Sequence, residues 1–374
     1  MKEKHSLLIL TYISAPYRVE VFNELGKYYD VTVLFERNND FNRPKEWFPK
    51  KFENFIGHLL CDDSQKTKQE IKNIEKRMYS KEYDLVILYE YSTPKAIEYA
   101  IICQILEIPY FINCDGSFIN KNFIKGLIKR FSIRSASGYF ASGKMASGYL
   151  EYFGAKKDII HYHPFTSLYC KDIFSNVCDQ QEKQQLRSEL KLTGNKIAIT
   201  VGRFIPSKRI DVLINAWARF SDDFQLIIAG SGDLEFEYLN QINRLNLHNI
   251  ILPGFLEKEI LFKYLRASDL FVLPTETDTW GLVINEAMAC GLPVVTTKMC
   301  IAGIELVRDW ENGFLVPVGD SNALFDVMNN ILTDDNLRLR MAKNALKTIQ
   351  PYTYENVAKS HINSIEGFLR NNRS

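Results

Sequence analysis

Short uninterrupted apolar runs recur along this chain. Each is followed by a polar or glycine-bearing turn and then by a stretch with apolar residues three or four positions apart. The first half carries such runs at Leu7 to Thr11, Val31 to Phe35, Tyr83 to Tyr89 (YDLVILY), Ile108 to Asn113 and Tyr139 to Ser142. A strand that is apolar on both faces is covered on both faces, which is the condition of a parallel sheet between helix layers. The intervening stretches predict helices. One opens at Ser14-Ala15-Pro16 and runs through Val19, Phe22 and Leu25, and others fall near 94–107, 121–134 and 144–152. Residues 36–50 have no period and read as a surface excursion.

The second half repeats the plan. Strands are predicted at Lys196 to Val201, Phe224 to Ala229, Asn249 to Leu252, Asp269 to Leu273, Pro293 to Thr296 and Phe314 to Val316, with helices at about 209–220, 234–245, 258–266, 282–290 and 320–331. This reads as an α/β protein of two tandem Rossmann-like doubly wound domains facing a central cleft, with ligand crevices at the carboxyl ends of the strands. The expected boundaries are 1–168 for the first domain and 169–192 for a linker that contains DQQEKQQ and leads into a short helix. The second domain follows at 193–350, and a last helix at 351–374 is expected to cross back to the first domain.

Composition narrows the classes. A chain of 374 residues exceeds the roughly 250–300 residues at which single cores stop growing. With 46% hydrophobic and 24% charged residues and a formal net charge of +1, the chain is globular and carries no global footprint for nucleic acid, so no nucleic-acid partner is expected. The apolar run at Leu7 to Leu10 is too short for a signal peptide, and no window reaches the roughly 20 apolar residues of a membrane span. A cytoplasmic location is expected. The seven cysteines (61, 103, 114, 170, 178, 290, 300) include no Cys-x-x-Cys pair, and the six histidines are not grouped with them, so reduced structural thiols and no zinc are expected. His161 and His163 would point to opposite faces of a strand end.

Candidate chemistry gathers in the second half. Gly202-Arg203-Phe204-Ile205-Pro206-Ser207-Lys208 directly follows a buried strand. Gly202 permits a tight turn, and Arg203 and Lys208 place two cations where phosphate oxygens can be clamped. Gly230-Ser231-Gly232-Asp233 lacks the rest of a dinucleotide fingerprint and serves equally as a turn or a phosphate cradle. In the segment 274–293 an acidic loop, including Glu276 and Asp278, leads into a helix at about Gly281. The first-turn amides of Leu282 and Val283 are free to hold a diphosphate, and Glu286 can accept hydrogen bonds from a ribose. Gly291-Leu292-Pro293 ends that helix.

These stretches resemble the retaining glycosyltransferases of family 4, which have the GT-B fold. The resemblance rests on VGRFIPSKRID, IIAGSGD, ILPGFLEKEILFKYLRASDLFVLPT, TDTWGLVINEAMACGLPVV and ENGFLVPVGD, in the family's order across residues 196–320. It implies that the first domain is the acceptor side and the second the nucleotide-sugar donor domain, that Arg203 and Lys208 bind the diphosphate and stabilise the leaving group, that Glu286 holds the ribose, and that Gly254 and Phe255 line the base. Asp278 stands where the family's Glu-x7-Glu motif begins, one methylene shorter. By resemblance the class is metal-independent, so no cofactor is implied beyond a UDP- or GDP-linked sugar as donor. Pro16-Tyr17-Arg18 is like the start of many bacterial members. Asp115, in Cys114-Asp115-Gly116, falls where many relatives carry a catalytic-site histidine, as in a subset of bacterial polysaccharide enzymes. The implied activity is retaining transfer of a sugar to a glycan or lipid-linked acceptor in cell-surface polysaccharide or lipopolysaccharide biosynthesis. The alternatives are a non-catalytic nucleotide-sugar binding or scaffold subunit and, less favoured, a sugar-nucleotide epimerase.

Residues 121–134, KNFIKGLIKRFSIR, combine Lys121, Lys125, Lys129, Arg130 and Arg134 with an apolar stripe of Phe123, Ile124, Leu127, Ile128 and Phe131. A basic amphipathic helix of this kind can lie in an anionic lipid interface. Peripheral contact with the inner face of the cell membrane is therefore expected.

Overall fold

The computed structural model describes residues 4–37, 48, 51–62, 64–119 and 123–372, leaving aside the side chains of 123–125. The chain divides into two compact units, Met1–Ser167 with Tyr352–Ser374, and Leu168–Pro351.

In the first unit, β1 (Ser6–Thr11), α1 (Pro16–Gly26), β2 (Asp30–Phe35), β3 (Ile56–Leu59), α2 (Gln65–Tyr79), β4 (Leu85–Leu88), α3 (Pro94–Leu106), β5 (Tyr110–Cys114), α4 (Phe123–Arg134), β6 (Gly138–Ala141), α5 (Lys144–Tyr152) and β7 (Ile160–Tyr162) follow in order. The strands form a parallel sheet ordered β3-β2-β1-β4-β5-β6-β7. Leu7 to Leu10 on β1 and Leu85 to Leu88 on β4 are fully buried, as their unbroken apolar character requires. α1 and α3 each begin on a proline, whose missing N–H costs nothing in a first turn. Thr93 caps α3 by accepting from the Ala96 amide.

The second unit contains α6 (Gln180–Glu189), β8 (Lys196–Val201), α7 (Ile210–Trp217), β9 (Phe224–Ala229), α8 (Glu235–Arg244), β10 (Ile250–Gly254), α9 (Lys258–Ala267), β11 (Leu270–Leu273), α10 (Leu282–Ala289), β12 (Val294–Thr297), α11 (Ile301–Leu306), β13 (Gly313–Val316), α12 (Ser321–Thr333) and α13 (Asp335–Ile349). Its sheet, β10-β9-β8-β11-β12-β13, is parallel throughout and has the doubly wound order. Both units are thus doubly wound α/β sheets, as the alternation of apolar runs and helical patterns implies. A buried ion cluster ties the flanking helices to this sheet. Asp269, at the start of β11, meets Lys183 Nζ at 2.5 Å, Arg187 Nη2 at 2.7 Å and Arg338 Nη1 at 3.3 Å. Burial works to raise its pKa, but the three cations pull it down to about 2.

The chain then returns to the first unit as α14 (Tyr354–Asn371), which packs on α1 and β7. Phe368 meets Phe111 edge to face at 5.1 Å, and His361 lies against Phe140 with ring centroids 3.8 Å apart.

Three helices, α2, α11 and α13, escape the sequence pattern. Helix α2 (QKTKQEIKNIEKRMY) buries only Thr67, Ile74 and Met78, so its apolar stripe is too sparse to register. Helix α13 lies where no element was predicted, although Leu337, Met341, Ala345 and Ile349 form a regular buried stripe along it. Of the stretch 169–192, expected as a linker leading into a short helix, residues 180–189 form α6, and all of it groups with the second unit. Most of the stretch 36–50, and Lys121, lie outside the described residues.

Candidate functional site

In each sheet the strand order reverses between two adjacent strands, and ligands of such sheets bind outside their carboxyl ends. The reversal lies between β8 and β11 in the second unit and between β1 and β4 in the first.

At the β8/β11 reversal the candidate residues come from two loops that are laced together. Ser207 O accepts from the Glu276 amide at 2.7 Å and from Thr275 Oγ1 at 2.8 Å. This lacing brings Lys208, after β8, into an ion pair with Asp278, after β11, through Nζ and Oδ2. Arg203, half-buried on the same loop, has no counter-ion or hydrogen bond to its guanidinium among the described residues. A half-buried, uncompensated guanidinium next to a paired ammonium is an arrangement suited to an anion, whose charge would complete it.

Asp278 does not cap α10. Gly281 is the residue before the helix, with φ +94°, and the backbone of Asp278 bridges the segment at Cys300, giving its amide to Met299 O at 3.0 Å and accepting from the Ile301 amide at 3.2 Å. A side chain at 281 would meet Cys300 Sγ at 2.8 Å, so glycine is required there on both conformational and steric grounds. Buried Trp280 gives its indole N–H to Asn285 Oδ1 at 2.9 Å, locking the acidic loop onto the helix it precedes. Leu282 and Val283 form the first turn of α10, where amides have no partner within the helix. Glu286, half-buried, lies one turn further along.

The glycines after β8 and β9 and at the end of β10 let three backbones meet. The Gly230 amide donates to Gly254 O at 2.8 Å, and that of Gly202 donates to Ala229 O at 3.0 Å. A Cβ on Gly230, at φ +139°, would fall 1.9 Å from Gly202 O. Close backbone approach therefore explains Gly230-Ser231-Gly232 without any ligand. Phe255, beside Gly254, is half exposed at 50%, an aromatic face open at the same sheet edge.

Glu276 is exposed, Asp278 is turned to Lys208, and among the described residues no group of three metal-ligating side chains occurs.

Asp115 belongs to the first unit, so the fold does not place it in one unit with the other candidates. It follows β5 and is held from two sides. Asn113 Nδ2 donates to its Oδ1 at 2.6 Å, and Arg18 Nη2 donates to its Oδ2 at 2.9 Å. Arg18, in the first turn of α1, also gives Nη1 to Thr11 Oγ1 at 2.6 Å and to Glu90 Oε1 at 3.1 Å. Burial raises the pKa of Glu90 while Arg18 opposes that rise. Glu90 and Asn113 escaped the sequence reading. The one signal for Glu90 is an acidic residue immediately after a fully apolar strand, which is also where strand-end ligands bind.

Residues 181–348 match the family described as Glycosyl transferases group 1. The chain is 32% identical over 196 residues to an N-acetylgalactosamine-N,N'-diacetylbacillosaminyl-diphospho-undecaprenol 4-alpha-N-acetylgalactosaminyltransferase of Campylobacter jejuni, covering 52% of this chain and 53% of that one. It is 30% identical over 175 residues to an N-acetyl-alpha-D-glucosaminyl L-malate synthase of Bacillus anthracis, covering 46% of each. The chain thus spans about half the length of these relatives. Among solved structures, Anabaena HepE in complex with UDP superposes with a TM-score of 0.80 at 21% identity, over 97% of this chain and 100% of that one. WaaG, a glycosyltransferase involved in lipopolysaccharide biosynthesis, superposes with a TM-score of 0.68 at 14% identity, over 96% and 100%. The chain therefore has the two-domain architecture of the GT-B fold, with its second unit carrying the match to Glycosyl transferases group 1.

Proposed function

We propose that the protein is a retaining glycosyltransferase of family 4 that moves a sugar from a UDP- or GDP-linked donor to a glycan or lipid-linked acceptor in cell-surface polysaccharide biosynthesis. The observation that carries this reading is the cationic pair at the β8/β11 reversal, with Arg203 uncompensated and Lys208 held by Asp278 next to the first turn of α10. The UDP in the Anabaena structure and the lipid-linked saccharide in the name of the Campylobacter relative support the choice of donor and acceptor.

In this reading Arg203, Lys208 and the amides of Leu282 and Val283 hold the diphosphate. Glu286 takes the ribose, and Gly254 with Phe255 borders the base. The bond between the anomeric carbon and the diphosphate oxygen breaks, and its electron pair leaves with the diphosphate. The acceptor hydroxyl oxygen forms the new bond, and its proton goes to the departing diphosphate. Fixed cations and helix amides answer the growing negative charge, so a metal ion is redundant. Asp278 steadies the sugar hydroxyls or the cationic carbon.

The test is a screen of nucleotide sugars by mass spectrometry in the presence of EDTA, with a lipid-linked saccharide extract as acceptor. A mass increment of one sugar from a single donor is the expected result. Binding of UDP without turnover of any donor would instead identify a donor-binding subunit.

The first unit bears a surface suited to a lipid interface. On α4, Leu127, Ile128 and Phe131 are exposed beside Arg130 and Arg134, and Ile101 and Ile105 are exposed on neighbouring α3. Lys129 turns away, giving Nζ to Tyr149 Oη at 2.6 Å. The side chains of Phe123, Ile124 and Lys125 lie outside the described residues. Among the described residues no helix is long and apolar enough to cross a membrane. In this reading the contact is peripheral, at the inner face of the membrane. Co-sedimentation with anionic vesicles is expected for the wild type, weakened by salt and by Leu127→Ser/Phe131→Ser. Equal sedimentation with neutral and anionic vesicles, unchanged in the variant, would remove the membrane from this proposal.

A further inference from the structure

Twelve buried side-chain polar atoms lack a hydrogen-bond partner among the described residues, and five of them belong to residues at the carboxyl edge of the first unit's sheet. They are Arg18 Nε, Tyr89 Oη, Asn113 Oδ1, Ser142 Oγ and His163 Nδ1. Arg18 lies at the start of α1. Tyr89 follows β4, Asn113 is on β5, Ser142 follows β6 and His163 follows β7. These strands are consecutive in the sheet, so the residues that bear the orphaned atoms fall along its carboxyl edge, the edge that also carries Asp115 and Glu90. Unpaired buried polar atoms are rare in folded proteins, and a row of them on one sheet edge points to a polar ligand.

The charges and hydrogen-bonding roles indicate what kind of ligand. Glu90, Arg18 and Asp115 together carry one net negative charge, and the carboxylates would repel a phosphate or carboxylate ligand. A metal cation is opposed by Arg18, whose guanidinium already bridges both carboxylates at 3.1 and 2.9 Å. What remains is a neutral ligand that both donates and accepts hydrogen bonds, because the set includes donors, acceptors and hydroxyls able to do either. Adjacent hydroxyls of a sugar ring meet that requirement.

We propose that Glu90 is a saccharide-binding residue of the first unit, acting with Asp115 on the hydroxyls of one sugar ring, and that Arg18 is the positioning residue that holds the two carboxylates together. This deepens the transfer reading, on which the identification of that sugar as the acceptor rests. The carboxylates come from loops 25 residues apart in sequence. Without Arg18 they would separate by mutual repulsion, and the hydroxyl-binding geometry would be lost with them.

The experiment measures two ligands on the full chain. UDP binding is read by calorimetry. Methyl α-glycosides of glucose, galactose and N-acetylgalactosamine are titrated by saturation-transfer NMR. The wild type is expected to bind UDP and at least one glycoside. Glu90→Gln, which keeps the shape of the side chain, is expected to weaken the glycoside about tenfold, the size of one charged hydrogen bond, and to leave UDP affinity unchanged. Arg18→Lys should retain part of the glycoside affinity that Arg18→Met loses. If Arg18→Met does not fold, Glu90→Gln and Arg18→Lys decide the matter alone. Equal glycoside affinity in wild type and Glu90→Gln, or no glycoside binding by a wild type that binds UDP, overturns the proposal. Glycoside binding that is lost in Glu90→Gln, in a protein that never binds UDP, would support this site and defeat the transfer reading instead.

Discussion

Arg203→Ala and Lys208→Ala are each expected to lower sugar transfer by about 10²-fold or more, the cost of removing one preorganised charge from a leaving group. The two losses should differ in kind. Arg203 has no counter-ion among the described residues, so its removal subtracts one cation and leaves nothing behind. Lys208 is paired with Asp278, and its removal leaves that carboxylate uncompensated beside the place proposed for the diphosphate. Lys208→Ala should therefore also raise the donor KM, whereas Arg203→Ala should act more on kcat. Lys208→Ala/Asp278→Asn should recover part of the donor affinity, because the second change removes the stranded negative charge. Steady-state kinetics with the donor found in the screen decide this. Near-normal turnover in both single variants would end the assignment of this loop to the diphosphate.

Acidification from pH 7 to pH 5 is expected to destabilise the first unit by up to about 4 kcal/mol through two histidines, roughly 2 kcal/mol from each. His163 and His361 are buried with ring centroids 4.9 Å apart, and His361 joins α14 to β6 through Phe140. Burial lowers both pKa values to about 3, and for His361 the neighbouring His163 adds to the effect. Folded-state values below the unfolded value of about 6.5 mean that the unfolded chain binds protons that the folded chain refuses. The stabilising effect is complete above about pH 6.5 and is lost progressively as pH falls toward 3. His361 Nδ1 lies 2.9 Å from Val357 O, so the neutral ring donates there, and Nε2 has no partner to receive a second proton's charge. His361→Gln should cost stability at pH 7 yet remove about half of the pH dependence. The difference between melting midpoints at pH 7 and pH 5 is the measurement. An unchanged difference in His361→Gln, and likewise in His163→Gln, would show that the pair stays uncharged for another reason or does not set this slope.

The strands and most helices are legible in the chain because burial on two faces leaves a local mark. Leu7 to Leu10, Leu85 to Leu88 and Leu270 to Leu273 are apolar without interruption because helices cover both sides of each sheet. The loop chemistry at Gly202 to Lys208 and at Asp278 to Glu286 is legible for a related reason. A strand end followed by glycine and charge is where this architecture exposes backbone amides and side chains to a ligand. Helix α2 left little trace, since a helix that buries three side chains needs few apolar ones.

The order of the strands is not local, and the meetings of charges depend on it. Lys208 and Asp278 are 70 positions apart and Arg18 and Asp115 are 97 apart. Each meeting arises because the strand order reverses between β8 and β11 and between β1 and β4, which brings distant loops to one edge. Residue types and local periodicity determined by themselves that this chain builds two doubly wound sheets with cations at a strand end. Only the tertiary structure decided that Lys208 is already paired while Arg203 is not. It also decided that Glu90 shares Arg18 with Asp115, because a partner across a sheet is chosen by strand order and register, and neither is written in the neighbours of a residue along the chain.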